Sequence, residues 1–212
     1  MQTPARFITV EGGEGVGKST NLALIEACLR ERGIDVLVTR EPGGTQLGEQ
    51  LRELLLGVEG TGPVPMAELL MIFAARAQHL DLVIKPALAQ GSWVLCDRFT
   101  DATYAYQGYG RDMDLSAIKS LEDLVQDSFC PDLTVLLDLS PEVGLARAAQ
   151  RGELDRFEQE NNLFFNRVRE GYLTRAKTRP EHWLVVDAGK PLEDVQSALI
   201  HQLTDWLDRL DG

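Results

Sequence analysis

Cysteine is scarce in this chain. Cys28, Cys96 and Cys130 are odd in number, share no C-x-x-C spacing, and each sits among apolar residues. That pattern supports neither a disulfide framework nor a cysteine metal site, and it reads as reduced core thiols in a cytoplasmic protein. Long apolar runs are also missing. Nothing approaches the roughly 18 residues of a membrane span, and the opening run Phe7-Ile8-Thr9-Val10 is too brief for a signal peptide. No membrane association is expected. Positive charge is in short supply, with 21 Lys and Arg against 33 Asp and Glu for a net charge of -12. A protein this acidic is not expected to wrap nucleic acid or lie on an anionic bilayer, because both are polyanions. Its basic residues must be clustered if it is to hold an anion. His79, His182 and His201 match neither H-E-x-x-H nor a Cys/His spacing, so no zinc site is expected.

What the chain does have is hydrophobic material, 44% of 212 residues, enough for a single domain over 1–212 without disulfides or metals. Five short apolar runs stand out: Phe7-Ile8-Thr9-Val10, Val36-Leu37-Val38, Trp93-Val94-Leu95-Cys96, Leu133-Thr134-Val135-Leu136-Leu137 and Trp183-Leu184-Val185-Val186. They alternate with helically periodic segments at 22–32, 66–90, 115–128, 141–151 and 195–210. Near-continuous apolar strands separated by helices predict a five-stranded parallel sheet covered on both faces, a three-layer α/β domain. The Gly- and Pro-rich stretch 57–65 reads as a loop between helices. An arginine-dense segment, with Arg147, Arg151, Arg156, Arg167, Arg169, Arg175 and Arg179, reads for its later members as a solvated helical face balanced by nearby Glu.

Directly after the first strand, Gly12-Gly13-Glu14-Gly15-Val16-Gly17-Lys18-Ser19 fits G-x-x-x-x-G-K-[ST], and a helical pattern follows. Glycines let backbone N–H groups converge on an anion, the helix N-terminus adds partial positive charge, Lys18 supplies a mobile cation, and the Ser19 hydroxyl suits Mg²⁺. Such a loop binds phosphate without saying what is done with it. A GTPase would carry an Asn-Lys-x-Asp guanine reader, which is not found here. The third strand ends in Cys96-Asp97-Arg98-Phe99, placing at the carboxyl edge a carboxylate suited to Mg²⁺ and a guanidinium suited to phosphate. The next segment, Asp-Ala-Thr-Tyr-Ala-Tyr-Gln-Gly-Tyr-Gly-Arg over 101–111, is costly to bury unless it lines a polar pocket.

At these residues the chain resembles the thymidylate kinases, which pass the γ-phosphate of ATP to dTMP. The resemblance extends over essentially the whole sequence. It rests on Glu11-Gly12 with the acidic Glu14 in the phosphate loop, Thr39-Arg40-Glu41-Pro42-Gly43-Gly44-Thr45, Phe73-Ala74-Ala75-Arg76, Asp97-Arg98-Phe99, Ala105-Tyr106-Gln107-Gly108, Pro131-Asp132-Leu133-Thr134 and Arg151-Gly152-Glu153-Leu154-Asp155-Arg156. An acidic phosphate loop joined to a basic lid is similar to the bacterial subtype, in which the lid carries the catalytic arginine. The resemblance therefore implies the P-loop nucleoside monophosphate kinase fold with a lid at about 147–158. It also implies conversion of dTMP to dTDP with ATP and Mg²⁺, and a cytoplasmic homodimer joined through the segments 66–90 and 115–128.

The same resemblance assigns roles residue by residue. ATP would be held by Gly12, Gly13, Glu14, Gly15, Val16, Gly17, Lys18, Ser19 and Thr20, and Mg²⁺ by Ser19 and Asp97. The dTMP phosphate would meet Arg98 and Arg52, with Glu14 near the sugar 3′-OH and Tyr106 against C2′. Arg76 would donate to thymine O4, Thr103 would meet N3–H, and Gln107 and Glu41 would border the acceptor. Lys18, Arg98, Glu14 and Arg151 would act in catalysis, with Arg147 and Arg156 the next lid arginines in reach, while Arg175 is expected to be an exposed helix residue. The family's stacking phenylalanine lies four residues before the arginine, where this chain has Ile72, so Phe73 is expected to reach the ring from three before. Two other readings stay open: a different monophosphate or deoxynucleoside kinase on the same scaffold, and a nucleotide-binding regulatory module.

Overall fold

The computed structural model describes residues 4–57, 62–150 and 155–211. Within them the five apolar runs become β1 (Phe7–Glu11), β2 (Val36–Arg40), β3 (Trp93–Asp97), β4 (Leu133–Asp138) and β5 (Trp183–Asp187). All pair in parallel in the order β2-β3-β1-β4-β5, so β1 is central and the chain crosses over it between β3 and β4. Each strand runs beyond its apolar stretch into a charged residue, Glu11, Arg40, Asp97, Asp138 or Asp187. Charge therefore collects at the carboxyl edge, where open parallel sheets bind their ligands.

The helices are α1 (Lys18–Glu31), α2 (Gln46–Leu56), α3 (Pro65–His79), α4 (Lys85–Ala89), α5 (Thr100–Thr103), α6 (Leu115–Gln126), α7 (Pro141–Ala149), α8 (Asn162–Thr178) and α9 (Leu192–Asp211). A π-helical turn, Leu80–Ile84, joins α3 to α4, and another, Tyr104–Gly110, continues α5. Sequence chemistry fixes several starts. Thr45 accepts a hydrogen bond from Gly48 N at 3.0 Å, Asp114 from Ser116 N at 2.9 Å, and Asn161 from Phe164 N at 2.9 Å, each satisfying a donor that the first helical turn leaves unpaired.

Alternation along the strands builds two covered faces. Ile8, Val10, Leu95 and Val135 pack against Ile25 and Leu29 of α1 and against Leu199, Leu203 and Trp206 of α9. Phe7, Val94 and Cys96 point the other way, onto Leu80, Ile84 and Phe99, while Leu136 meets Phe165, Val168 and Tyr172 of α8. Burial on both sides explains why the strands read as unbroken apolar runs.

Two expectations are corrected. Cys96 is buried and Cys28 half-buried, but Cys130 is exposed, because its neighbour Phe129 turns inward to stack on Phe7 with ring centroids 5.4 Å apart. The later arginines are not a uniformly solvated face. Arg167 and Arg179 are exposed, whereas Arg169 pairs with both oxygens of Asp138 at 2.7 and 2.8 Å, and Arg175 pairs with Asp101 and lies 3.8 Å from the Tyr104 ring centroid. These partners are far from the arginines in sequence, so charge spacing along the helix does not reveal them.

The glycine loop after β1 is seated directly on α7. A Cβ on Gly15, whose φ is +66°, would lie 2.0 Å from the carbonyl oxygen of Gly144, and a Cβ on Gly144 would lie 2.3 Å from that of Glu14. Both neighbours are backbone and cannot swing aside. Gly144→Ala is expected to cost about 1–3 kcal/mol as overpacking and to lower the midpoint of thermal unfolding by several degrees. An unchanged midpoint would show that the loop and α7 separate without cost.

Candidate active site

A cavity of about 540 Å³ opens at the carboxyl edge and runs from the glycine loop to the base of α3. Its first end is lined by residues 14–20, with Arg147 of α7 beside them. Gly12 and Gly13 lie behind this wall and offer their carbonyls to Lys18 Nζ at 3.4 and 3.0 Å. Desolvation and then the neighbouring Arg98 hold the Lys18 ammonium below the ordinary lysine range, a state that an arriving polyanion relieves. Gly17, left-handed at φ +84°, leads into α1, so the first amides of the helix open onto the loop.

Arg98 stands at the centre. Its backbone is left-handed at φ +68°, a conformation that costs a non-glycine residue energy and here turns the chain sharply off β3. The guanidinium donates to Gly12 O at 2.9 Å, Tyr172 Oη at 3.1 Å and Glu14 Oε1 at 2.7 Å, and it lies 4.8 Å from the Tyr106 ring centroid. Burial alone would lower its pKa, but Tyr106, Glu14, Tyr172 and Asp97 outweigh burial and hold it above the usual range. The Tyr106 hydroxyl also donates to Glu14 Oε1, at 2.7 Å. Arg52 of α2 lines the cavity nearby and donates to Pro42 O at 3.0 Å.

The far end is polar and buried. Arg76 is 1% exposed, with its guanidinium carbon 4.9 Å from both the Phe73 and the Phe99 ring centroids. Its Nε donates to Glu41 Oε2 at 2.7 Å and its Nη2 to Thr103 Oγ1 at 2.9 Å, while Nη1 has no partner among the described residues. Gln107 borders the same space and donates to Glu68 Oε1 at 2.8 Å.

Most sequence-predicted site residues thus share one cavity: Glu14 to Thr20, Glu41, Arg52, Arg76, Asp97, Arg98, Thr103, Tyr106 and Gln107. Phe73 does not. It faces Leu69, Tyr104 and Ile118 in the core, and Ile72 lines the cavity instead, because a shift of one residue on a helix turns a side chain by about 100°. Phe73 therefore supports Arg76 from beneath. Arg151 lies outside the described residues. Arg156, expected near the phosphates, is drawn to the opposite end, donating to Glu68 Oε2 at 2.6 Å and Leu55 O at 2.7 Å. Arg175 is half-buried against Asp101 and away from the cavity lining.

Several participants escape the sequence reading. Glu68 is a lone carboxylate within the apolar stretch Met66-Ala67-Glu68-Leu69-Leu70, which is its one signal in the sequence; it is fully buried and accepts from Gln107, Arg111 and Arg156. Tyr172 sits in the segment read only for its arginines, and its hydroxyl donates to Glu11 Oε2 at 2.9 Å.

Comparison with known proteins gives one consistent result. Residues 10–199 match the family model described as thymidylate kinase. The thymidylate kinase of Teredinibacter turnerae is 59% identical over 202 residues, spanning 95% of this chain and 98% of that protein. That of Pseudomonas putida strain W619 is 57% identical over 206 residues, spanning 97% and 100%. Among solved structures, the thymidylate kinase of Ehrlichia chaffeensis superposes with a TM-score of 0.75 at 36% identity, covering 94% of this chain and 97% of its own.

Glu11, behind the glycine loop, gives the site a pH signature. Burial first and Asp101 second push its carboxyl from 4.5 up to about 8, against Arg98 and the hydrogen bonds from Tyr172 and Phe99. A carboxyl whose folded pKa exceeds its unfolded value takes up a proton on folding. Its contribution to stability is complete below about pH 4.5 and is lost as pH rises through about 8. The unfolding midpoint of the ligand-free protein is expected to carry a component that falls across this window, and Glu11→Gln to flatten it. Parallel profiles for the two proteins would place the titration elsewhere.

Proposed function

The chain belongs to the thymidylate kinase family and phosphorylates dTMP to dTDP with ATP, a step of dTTP biosynthesis; from that premise we propose how its own residues divide the work. The observation that carries the assignment is the single cavity with the phosphate loop at one end, Arg76 at the other and Arg98 between them.

The ATP phosphates lie in the glycine loop, with Lys18 and the α1 N-terminus as counter-charge. The dTMP phosphate meets Arg98 and Arg52. Both arginines are presently satisfied by neutral carbonyls or by Glu14, partners that a dianion displaces without leaving a bare charge. Glu14, whose bond from Arg98 the phosphate takes over, accepts from the sugar 3′-OH. At the base, Nη1 of Arg76 donates to thymine O4 and Thr103 Oγ1 accepts from N3–H. Cytosine presents an amino donor against Nη1, which cannot accept, whereas the Thr103 hydroxyl can turn to donate to the ring nitrogen, so discrimination rests on Arg76.

Phosphoryl transfer passes through a loose transition state with charge spread over the phosphoryl oxygens, so alignment and neutralisation supply most of the catalysis. The acceptor oxygen is already anionic and needs no general base. Mg²⁺ is assigned to the donor end on the chemistry of the residues there. Asp97 Oδ1 is buried without a partner among the described residues, and the Ser19 hydroxyl lines the same cavity. No group of three or more His, Cys, Asp or Glu among the described residues is arranged around a metal, which suits an ion held chiefly by substrate phosphates. When bound near Ser19 and Asp97, the ion would neutralise charge on the phosphate oxygens.

Arg151 is assigned the transition-state charge on family resemblance, since the loop positions Gly13, Glu14, Gly15 and Val16 offer no arginine. Arg156 holds the lid segment to Glu68, and Arg147, tied to Ala188 O at 3.1 Å, borders the donor end. A homodimer is assigned to the apolar side chains that α2, α3 and α6 leave exposed, Leu54, Met66, Leu70 and Leu124 among them. No helix among the described residues is long and apolar enough to cross a membrane.

A coupled ADP-release assay across nucleoside monophosphates is expected to favour dTMP, and equal turnover of dCMP or dGMP would overturn the account of base reading. Arg151→Ala is expected to lower kcat about 10³-fold with little change in dTMP affinity. Arg156→Ala should chiefly raise KM for dTMP. A kcat unchanged in Arg151→Ala and collapsed in Arg147→Ala would move the transition-state role to Arg147. Light scattering at micromolar concentration is expected to give twice the 23.5 kDa chain mass, and a monomer would reject the dimer.

A further inference from the structure

His79 is fully buried and is not among the residues that line the cavity, yet it makes one hydrogen bond to the end of β2 and one to the residue just after it. Its Nε2 is 2.7 Å from Thr39 Oγ1 and its Nδ1 is 3.0 Å from Glu41 Oε1. The other oxygen of Glu41 accepts from Arg76 Nε at 2.7 Å. Arg76 and His79 are three residues apart on α3 and so share a face of the helix. A carboxylate accepting from both sides requires the proton on Nδ1, which leaves Nε2 to accept from the Thr39 hydroxyl. Gly44 permits this approach, since a Cβ there would lie 2.4 Å from Nε2 and 2.8 Å from Thr39 Oγ1. The Thr-Arg-Glu-Pro-Gly-Gly stretch is thereby tied to the helix that carries the base-reading arginine.

The fork of Arg76 is split three ways, with Nε on Glu41, Nη2 on Thr103 and Nη1 without a partner among the described residues. A carboxylate beside an arginine ordinarily pairs side-on, taking two parallel N–H bonds. Glu41 would do so here through Nε and Nη2 if Oε1 had nothing else to accept, because a bare buried carboxylate oxygen is expensive. Side-on pairing pulls Nη2 away from Thr103 and rotates Nη1 with it. The imidazole occupies Oε1 and removes the incentive.

We propose that His79 is a positioning residue for base specificity: by engaging the second oxygen of Glu41 it keeps Glu41 from pairing side-on with Arg76, and so holds Nη1 of Arg76 toward the acceptor base. The proposal rests on the reading of Arg76 as the group that meets thymine O4. His79 itself touches no substrate.

The test is a comparison of dTMP and dCMP kinetics in single variants, with circular dichroism as the folding control. His79→Leu is expected to raise KM for dTMP about tenfold, the value of one charge-assisted hydrogen bond. It should also lower the dTMP-to-dCMP ratio of kcat/KM, with KM for ATP unchanged and kcat at saturating dTMP within about threefold. His79→Asn, whose amide places a donor near the position of Nδ1, should recover most of the ratio, which filling of space alone does not explain. Arg76→Lys tests the underlying reading separately. An unchanged ratio in Arg76→Lys would remove that reading, whereas a ratio lost in Arg76→Lys and intact in His79→Leu would overturn the positioning role alone. If His79→Leu does not fold, Thr39→Val decides: a smaller fall in the ratio with KM for ATP unchanged supports the proposal, and an unaltered ratio overturns it.

Discussion

Arg98 and Glu14 form an ion pair at 2.7 Å, mostly screened from solvent, and the layout of the site depends on that pair being replaceable. A chain with a net charge of -12 must bring together two phosphate-bearing molecules, so its local positive charge has to be concentrated and kept desolvated. An unpaired buried guanidinium is too expensive to wait for a substrate. The protein supplies a temporary partner, the acidic residue within its own glycine loop, and braces it with the Tyr106 hydroxyl at 2.7 Å. A phosphate dianion would compete for the arginine on favourable terms, and in the proposed arrangement the displaced carboxylate turns to the sugar. One interaction thus serves stability in the free protein and recognition in the complex.

The left-handed backbone of Arg98 belongs to the same logic. Asp97 ends β3 level with Val10 of β1, and the turn at Arg98 follows at once, so a metal-suited carboxylate and a phosphate-suited guanidinium stand side by side at the sheet edge. Strand register fixes both positions. Small motions elsewhere in the domain leave them in place, as catalysis by alignment requires.

Much of this was legible in the sequence, for identifiable reasons. Strands buried on both faces are continuous apolar runs, and the phosphate loop is a dense motif in its required context, so the sheet, the glycine loop and the carboxyl-edge pair Asp97-Arg98 could be read directly. The strand ends could not, because Glu11, Asp138 and Asp187 break the apolar pattern by doing the work of the edge. Helix α2 was implied only through the reading of 57–65 as a loop between helices, with no periodic segment of its own picked out. Helix α8 was read only through its arginines, which hid Tyr172. Phe73 was misplaced by one position, and on a helix that is the difference between a ligand and the floor beneath it. Partners such as Glu68 with Arg156, separated by 88 positions, carry no local signal.

Two buried carboxylates organise the acceptor end by the same means. Glu41 ties Arg76 to His79, and Glu68 ties Gln107 to Arg111 and Arg156. Both are buried, but Glu41 takes its two donors from α3 alone, whereas Glu68 gathers its donors from separate segments. The segments differ in kind. Glu41 directly follows β2, so its two bonds tie the sheet edge to α3. Those held by Glu68 include Arg156 of the lid segment, which also reaches across to Leu55 O of α2 at 2.7 Å. Arg156 therefore links the buried Glu68 to the C-terminal end of α2, so three segments meet at one side chain.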